Sequence, residues 1–377
     1  MGDPGQSDNV REMLSSMLEK ALIQMNIRTY NEYIKTVGLA DGMPIMRLYK
    51  KRNGYLLLSM IKSKVGIKGV GLDALILPLA LGAVALNSDP KNVEAMITEG
   101  GGVIKVRDCI FKGATPEFCV TISHFTADLI CEAINPDYEC LWTHQINNGD
   151  PFCRCVWKKK IEKVNLENPG KVITTINFPP MSEADLRDIR NFVLSHFWDA
   201  TTEAFMDLRG SRETLDHLLP VAYKLGQEMG EAFKKSGPTP ELTVAMVGGM
   251  FDMLGDIMHQ TSTPPRTSSD EFMKEIADCP FRTYPNEMCR QIEALYQGIV
   301  EAINPDLEFS YGSMMNDGGR SCAWSVRRKG TTPSPTNFIG QNVAQAQDPM
   351  FLLKTRLVKG EINLDEFNAI RKAISES

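Results

Sequence analysis

Along residues 116–134, apolar side chains recur at Phe118, Ile122, Phe125 and Leu129, the spacing of one helical face. Asn135-Pro136 ends that period, because a residue before proline is driven out of the helical region. Beyond it Tyr138, Cys140, Trp142, His144 and Ile146 alternate with Glu139, Leu141, Thr143 and Gln145, predicting a strand that reaches the turn Asn147-Asn148-Gly149-Asp150. A second strand, Phe152 to Lys158, completes a hairpin, with Cys153, Cys155 and Trp157 on one face and Arg154, Val156 and Lys158 on the other. Phe192, Leu194, Phe197, Trp198 and Phe205, then Leu215, Leu218, Leu219 and Tyr223, mark helices further on. Gly69 to Leu86 approaches the length of a membrane span, but Asp73 and Pro78 lie inside it and its counterpart over 241–260 is amphipathic, so a buried core helix is expected.

The pattern repeats. Shifted by 169 to 170 residues, Cys109, Glu117 and Cys119 fall on Cys279, Glu287 and Cys289, and Glu132, Asn135, Pro136, Asp137 and Cys153 fall on Glu301, Asn304, Pro305, Asp306 and Cys322. Helices come first, then a helix and a hairpin, so each copy reads as an α+β unit and the chain as a tandem duplication of it. The expected layout is a first repeat over 1–165, a linker over 166–180 with a possible strand at Val172 to Ile176, and a second repeat over 181–330. Ser182 with Asp185 opens the second repeat in a capping arrangement. A polar, flexible linker is expected over 331–347 and a small helical hairpin over 348–377, the latter starting at Asp348-Pro349.

Bulk composition narrows the partners. With 41 basic and 47 acidic residues the formal net charge is -6, and no long basic run offers a footprint for nucleic acid. The N-terminal residues lack the basic and apolar regions of a secretory signal, so a cytoplasmic protein is expected, with no membrane partner. Nine cysteines, an odd count, fit buried thiols, thiolates or metal ligands better than a disulfide framework in that compartment. A small neutral or weakly charged ligand suits this balance.

Three chemistries are open to the repeated cysteines. They could simply pack, as free cysteine does. They could hold zinc, through Cys109, Cys119 and Cys153 in the first copy and Cys279, Cys289 and Cys322 in the second, with His144 or Glu139 as a fourth ligand; in the second copy Ser313 replaces His144 and Glu308 matches Glu139. They could react, with Cys153 or Cys119 as nucleophile and His144 or His124 as base; Asp128, four residues after His124, could orient its imidazole. His124, His144 and Asp150 belong to the first copy alone, which places any chemistry there.

The repeated block of Cys, Cys, Asn-Pro-Asp and the Gly149-Asp150 to Cys153 hairpin, about 45 residues over 109–153, resembles the 4-vinyl reductase type of ligand-binding domain. It is similar also to the L-2-amino-thiazoline-4-carboxylic acid hydrolase family. The resemblance implies an α+β fold around a small-molecule pocket, with zinc held by cysteines and an acidic residue in some such sensors. The run from Asp348 to Ile374 resembles the short C-terminal module called SHOCT, which implies homo-oligomerisation or docking to a partner protein. Two functions follow: a cysteine-dependent hydrolase of a C-N or C-S bond in a small amide or heterocycle, or a non-catalytic small-molecule-binding module.

Overall fold

The chain begins with a long helix pair bent at a glycine. Pro4–Val37 forms α1 and Leu39–Val65 forms α2, joined at Gly38, whose φ of 88° with ψ of 154° lies where side chains are rarely tolerated. The same device recurs later: α6, Glu183–Ser236, bends at Gly210 with φ 77° and ψ 164°. This computed structural model describes residues 4–331, apart from 68, 88, 237–241, 259, 280, 318 and 320. The expected C-terminal hairpin over 348–377 and the linker before it therefore lie outside the described residues, as does His259.

After α2 come α3 (Leu72–Asn87), β1 (Val93–Thr98) and β2 (Gly101–Val106). The expected 116–134 helix is built from α4 (Pro116–Cys119), one π-helical turn over Val120–His124, and α5 (Phe125–Ile134). The hairpin is β3 (Tyr138–His144) and β4 (Cys153–Lys159), followed by β5 (Val172–Thr175) in the expected linker. The second series runs α6, α7 (Val244–Ile257), β6 (Thr261–Ser262), β7 (Arg266–Thr267), β8 (Glu271–Asp278), α8 (Asn286–Ile303), β9 (Leu307–Ser313) and β10 (Cys322–Arg328). Helices and antiparallel sheets make this an α+β protein.

Each hairpin is the edge of a larger sheet. The first sheet has the order β3-β4-β2-β1-β5, the second β9-β10-β8-β6 with β7 also on β8. The inner strand β2, and its counterpart β8, were not anticipated from the repeat, because neither carries a cysteine or proline column. The apolar stretch after Gly69 is α3, with Leu75, Ile76, Ala80, Leu81 and Ala85 at 2% exposure or less, a core helix as expected. Among the described residues no helix is long and apolar enough to cross a membrane.

One core runs from Leu14 on α1 to Val326 on β10 and draws on both series of elements, while a second, around Trp157, Ile104, Cys131 and Cys140, lies within the first. Helices α2 and α6 are tied by a buried polar seam. Lys50, 1% exposed, donates to the Phe197 carbonyl at 2.5 Å and to Thr201 Oγ1 at 3.2 Å, and Arg52 pairs with Asp199 at 3.1 Å and with Glu203. Burial pushes the Lys50 amine well below its ordinary range and the Asp199 carboxyl well above.

Candidate functional site: a cavity lined by three thiols

A cavity of about 110 Å³ has a wall that includes Cys109, Cys119 and Cys153 and is completed from α6 by Val193 and Phe197. Helix α3 supplies Pro78, Gly82 and Ala83, and strand β3 supplies Trp142. A Cβ built on Gly82 would meet nothing within 4 Å, so the helix presents open space there.

Each thiol accepts one N–H. The backbone N–H of Phe111 points at the Cys109 sulfur, Asn147 Nδ2 donates to Cys119 Sγ at 3.0 Å, and the Ile146 backbone N–H donates to Cys153 Sγ at 3.3 Å. The second copy keeps all three: Phe281 N–H to Cys279, Asn316 Nδ2 to Cys289 at 3.2 Å, and Met315 N–H to Cys322 at 3.3 Å. Asn147 and Asn316 each also donate to a carbonyl of the facing loop, Phe111 and Phe281 respectively, so one amide clamps the loop to the helix thiol. Sequence reasoning placed Asn147 and Asn148 in a turn and missed this role. The signal was available, since both asparagines precede the strand cysteine by six residues.

The surroundings of the two trios differ. Cys109, Cys119 and Cys153 are half-buried, whereas Cys279, Cys289 and Cys322 are at most 8% exposed. Near the second trio stands Tyr311, the counterpart of Trp142; burial pushes its hydroxyl well above its ordinary range, with Tyr296 and then the three thiols as charged-state neighbours. A one-residue difference accompanies this change. Cys119 and Glu132 are thirteen positions apart, Cys289 and Glu301 twelve. The additional residue is taken up as the π turn, in which the Phe125 N–H reaches back five residues to the Val120 carbonyl, whereas α8 is α-helical throughout. Such turns recur at functional sites.

Burial, the largest effect, holds the first trio protonated: the Cys109 thiol is pushed up to about 12, Cys119 to about 11, and Cys153 is also raised. A nucleophilic thiolate would need a base or cation beside it. The histidines do not supply one. His124 stacks on Trp142 with centroids 4.9 Å apart, and its Nε2 lies 2.8 Å from Gln145 Nε2. With the amide donating, Nε2 is the acceptor and the ring is neutral; burial lowers its pKa to about 4. Asp128 does not orient it, because the carboxylate is bound to Arg47 at 3.0 Å. His144 lies against Phe152, with Thr143 Oγ1 at 3.0 Å from Nδ1 and Glu167 at 3.9 Å from Nε2. No hydrogen bond joins either ring to a thiol among the described residues.

The acidic residues weighed as a fourth zinc ligand have partners of their own. Glu139 is bonded to Lys158 at 2.5 Å and Glu308 to Arg327 at 2.6 Å, equivalent cross-strand ion pairs that occupy both candidate acidic ligands. Among the described residues no three His, Cys, Asp or Glu are arranged to hold a metal ion.

The fold and site thus define an α+β chain with a thiol-lined apolar cavity between a sheet and its helices. No protein-family model, curated protein or solved structure matches the chain.

Proposed function

We propose that the chain is a tandem duplication of a ligand-binding module, in which the first copy binds a small apolar molecule and the second has become structural. The observation that carries the binding reading is the cavity itself, with apolar walls, three polarizable sulfurs and an unfilled space opposite Gly82. The paired Asn147 and Asn316 clamps and the glycine bends at Gly38 and Gly210 support the duplication. Against hydrolysis stand three protonated thiols without a base within hydrogen-bonding distance. The reading agrees with the resemblance to the 4-vinyl reductase type of domain.

A cavity of about 110 Å³ is close to the size that takes up benzene in an otherwise dry protein core, about 150 Å³. Benzene is therefore the probe. Saturating benzene is expected to raise the unfolding temperature of the full chain by binding only the folded state. Gly82→Leu, which projects a side chain into the cavity, should abolish that shift. An unchanged unfolding temperature in the parent, or an undiminished shift in the variant, would refute the proposal.

A further inference from the structure

A second cleft shares no lining residue with the thiol-lined cavity. It has a volume of about 450 Å³ and opens between α1, α2, α6 and the loop before α8. Leu22, Leu56, Met60 and Phe281 form its apolar side. Its polar side is built by one helix and one loop tyrosine: Asn191, Ser195 and His196 from α6, with Tyr284 opposite.

Ser195 is the telling residue. It is 4% exposed and lines the cleft, yet its hydroxyl has no partner among the described residues. Other buried hydroxyls on the same helix behave differently: Thr201, Thr202 and Thr214 each bond the carbonyl four residues back, at 2.9, 3.2 and 2.8 Å. The Ser195 oxygen is not sealed in the core but open to the cleft, so the hydrogen bond it does not make to its own helix is free for a ligand lying there. The Asn191 amide, one turn earlier, also has no partner among the described residues.

The head group can be read from the remaining contacts. His196 Nδ1 lies 2.9 Å from the Phe192 carbonyl and 2.7 Å from the Tyr284 hydroxyl. With the Nδ1 proton on that carbonyl, Nε2 is an acceptor, and burial keeps the ring neutral. The cleft therefore offers donors, from Ser195, Asn191 and Tyr284, and acceptors, from His196 Nε2 and the Asn191 carbonyl oxygen. Asp188 is the charged wall residue, and Lys64 stands 3.5 Å from it. A carboxylate ligand would face Asp188 and leave the acceptors unserved. A cation would compete with Lys64.

We propose that this cleft binds a neutral small molecule with an aliphatic body on Leu22, Leu56, Met60 and Phe281 and a primary carboxamide head between Ser195, Asn191 and the His196–Tyr284 pair. The site is independent of the thiol-lined cavity.

The test is calorimetric titration of the full chain with hexanamide and, separately, with hexanoate. Saturable hexanamide binding is expected, with hexanoate at least tenfold weaker. Ser195→Ala, which removes one oxygen from a helix, should weaken hexanamide about three- to tenfold, the worth of one neutral hydrogen bond, and Tyr284→Phe should act in the same direction. Gly82→Leu should leave the affinity unchanged. Absence of saturable binding, equal binding of hexanoate, or indifference to both Ser195→Ala and Tyr284→Phe would overturn the proposal. So would loss of binding in Gly82→Leu, which would put the amide in the other cavity.

Discussion

The two segments that share the cysteine pattern solve one packing problem with different spacers. In the first, α2 meets α5 at Gly54, where an added Cβ would lie 2.9 Å from Leu129 Cδ2, so a leucine side chain holds the helices apart. In the second, the counterpart of Leu129 is Gly298, and its backbone meets the Tyr223 carbonyl of α6, while Gly226 meets the Leu295 carbonyl in return. One contact is side chain on backbone, the other backbone on backbone. The copy with the leucine spacer also carries the π turn and the open cavity; the copy with the glycine spacer carries buried thiols beneath Tyr311. A cavity in this fold thus depends on keeping the helices from closing fully, and the cysteines, present in both copies, do not by themselves make one.

Substitution at the spacers gives the largest separation of the two. Gly298→Ala places a methyl against a carbonyl oxygen that cannot move without moving α6, and should destabilise the chain by about 2 to 3 kcal/mol in urea unfolding. Gly54→Ala meets the far end of a flexible leucine, and the gain in helix propensity offsets the crowding, leaving stability within about 1 kcal/mol of the parent. Equal losses at both sites would mean that the helices are equally close in the two copies.

The asparagine clamps test what the copies share. Asn147→Ala orphans the Gly113 N–H and takes one of two donors from the Phe111 carbonyl, which keeps the Ala114 N–H; Asn316→Ala removes the side-chain donor to the Tyr284 carbonyl and takes one of two donors from the Phe281 carbonyl, which keeps the Tyr284 N–H. Each should cost about 2 kcal/mol, the penalty for leaving such groups unpaired in a partly buried site. A loss confined to Asn316→Ala would show that the first clamp is redundant beside its cavity.

Where periodicity and repetition agreed, the sequence was legible. The 116–134 helix and the 138–158 hairpin were visible because Phe118, Ile122, Phe125 and Leu129 keep a helical period and Cys153, Cys155 and Trp157 a strand period. The cysteine trio was visible because its columns repeat, and it does share one cavity wall in the first copy. Strand β2 was not, since Gly100-Gly101-Gly102 reads as a break although Gly102 to Val106 pairs with Trp157 to Cys153. The His124 and Asp128 pairing failed for another reason: spacing on one helix says nothing of Arg47 on α2, which takes the carboxylate, or of Trp142 and Gln145 on the sheet side, which take the ring. The polar wall of the second cleft escaped because His196 and Tyr284 are 88 residues apart and share no motif.

Acid unfolding gives the smallest but most specific contrast, because the position of His124 is held in α8 by an acidic residue, Glu293, which accepts the Tyr311 backbone N–H at 3.0 Å. His124 is buried neutral, with its pKa lowered to about 4 by desolvation, while an unfolded histidine titrates near 6.5. Between those values the unfolded chain binds the proton and the folded chain does not. Stability from this group is therefore complete above about pH 6.5 and is lost as pH falls towards 4. His124→Gln removes the titration and retains a polar partner for Gln145. Compared with the parent, it should flatten the fall in unfolding free energy measured in urea between pH 6.5 and 4 by about 1 kcal/mol, after allowing for partial solvent screening. If His124→Gln follows the parent curve throughout, the ring is reached by water and the first copy is more open on its π-turn side than the stacking on Trp142 implies.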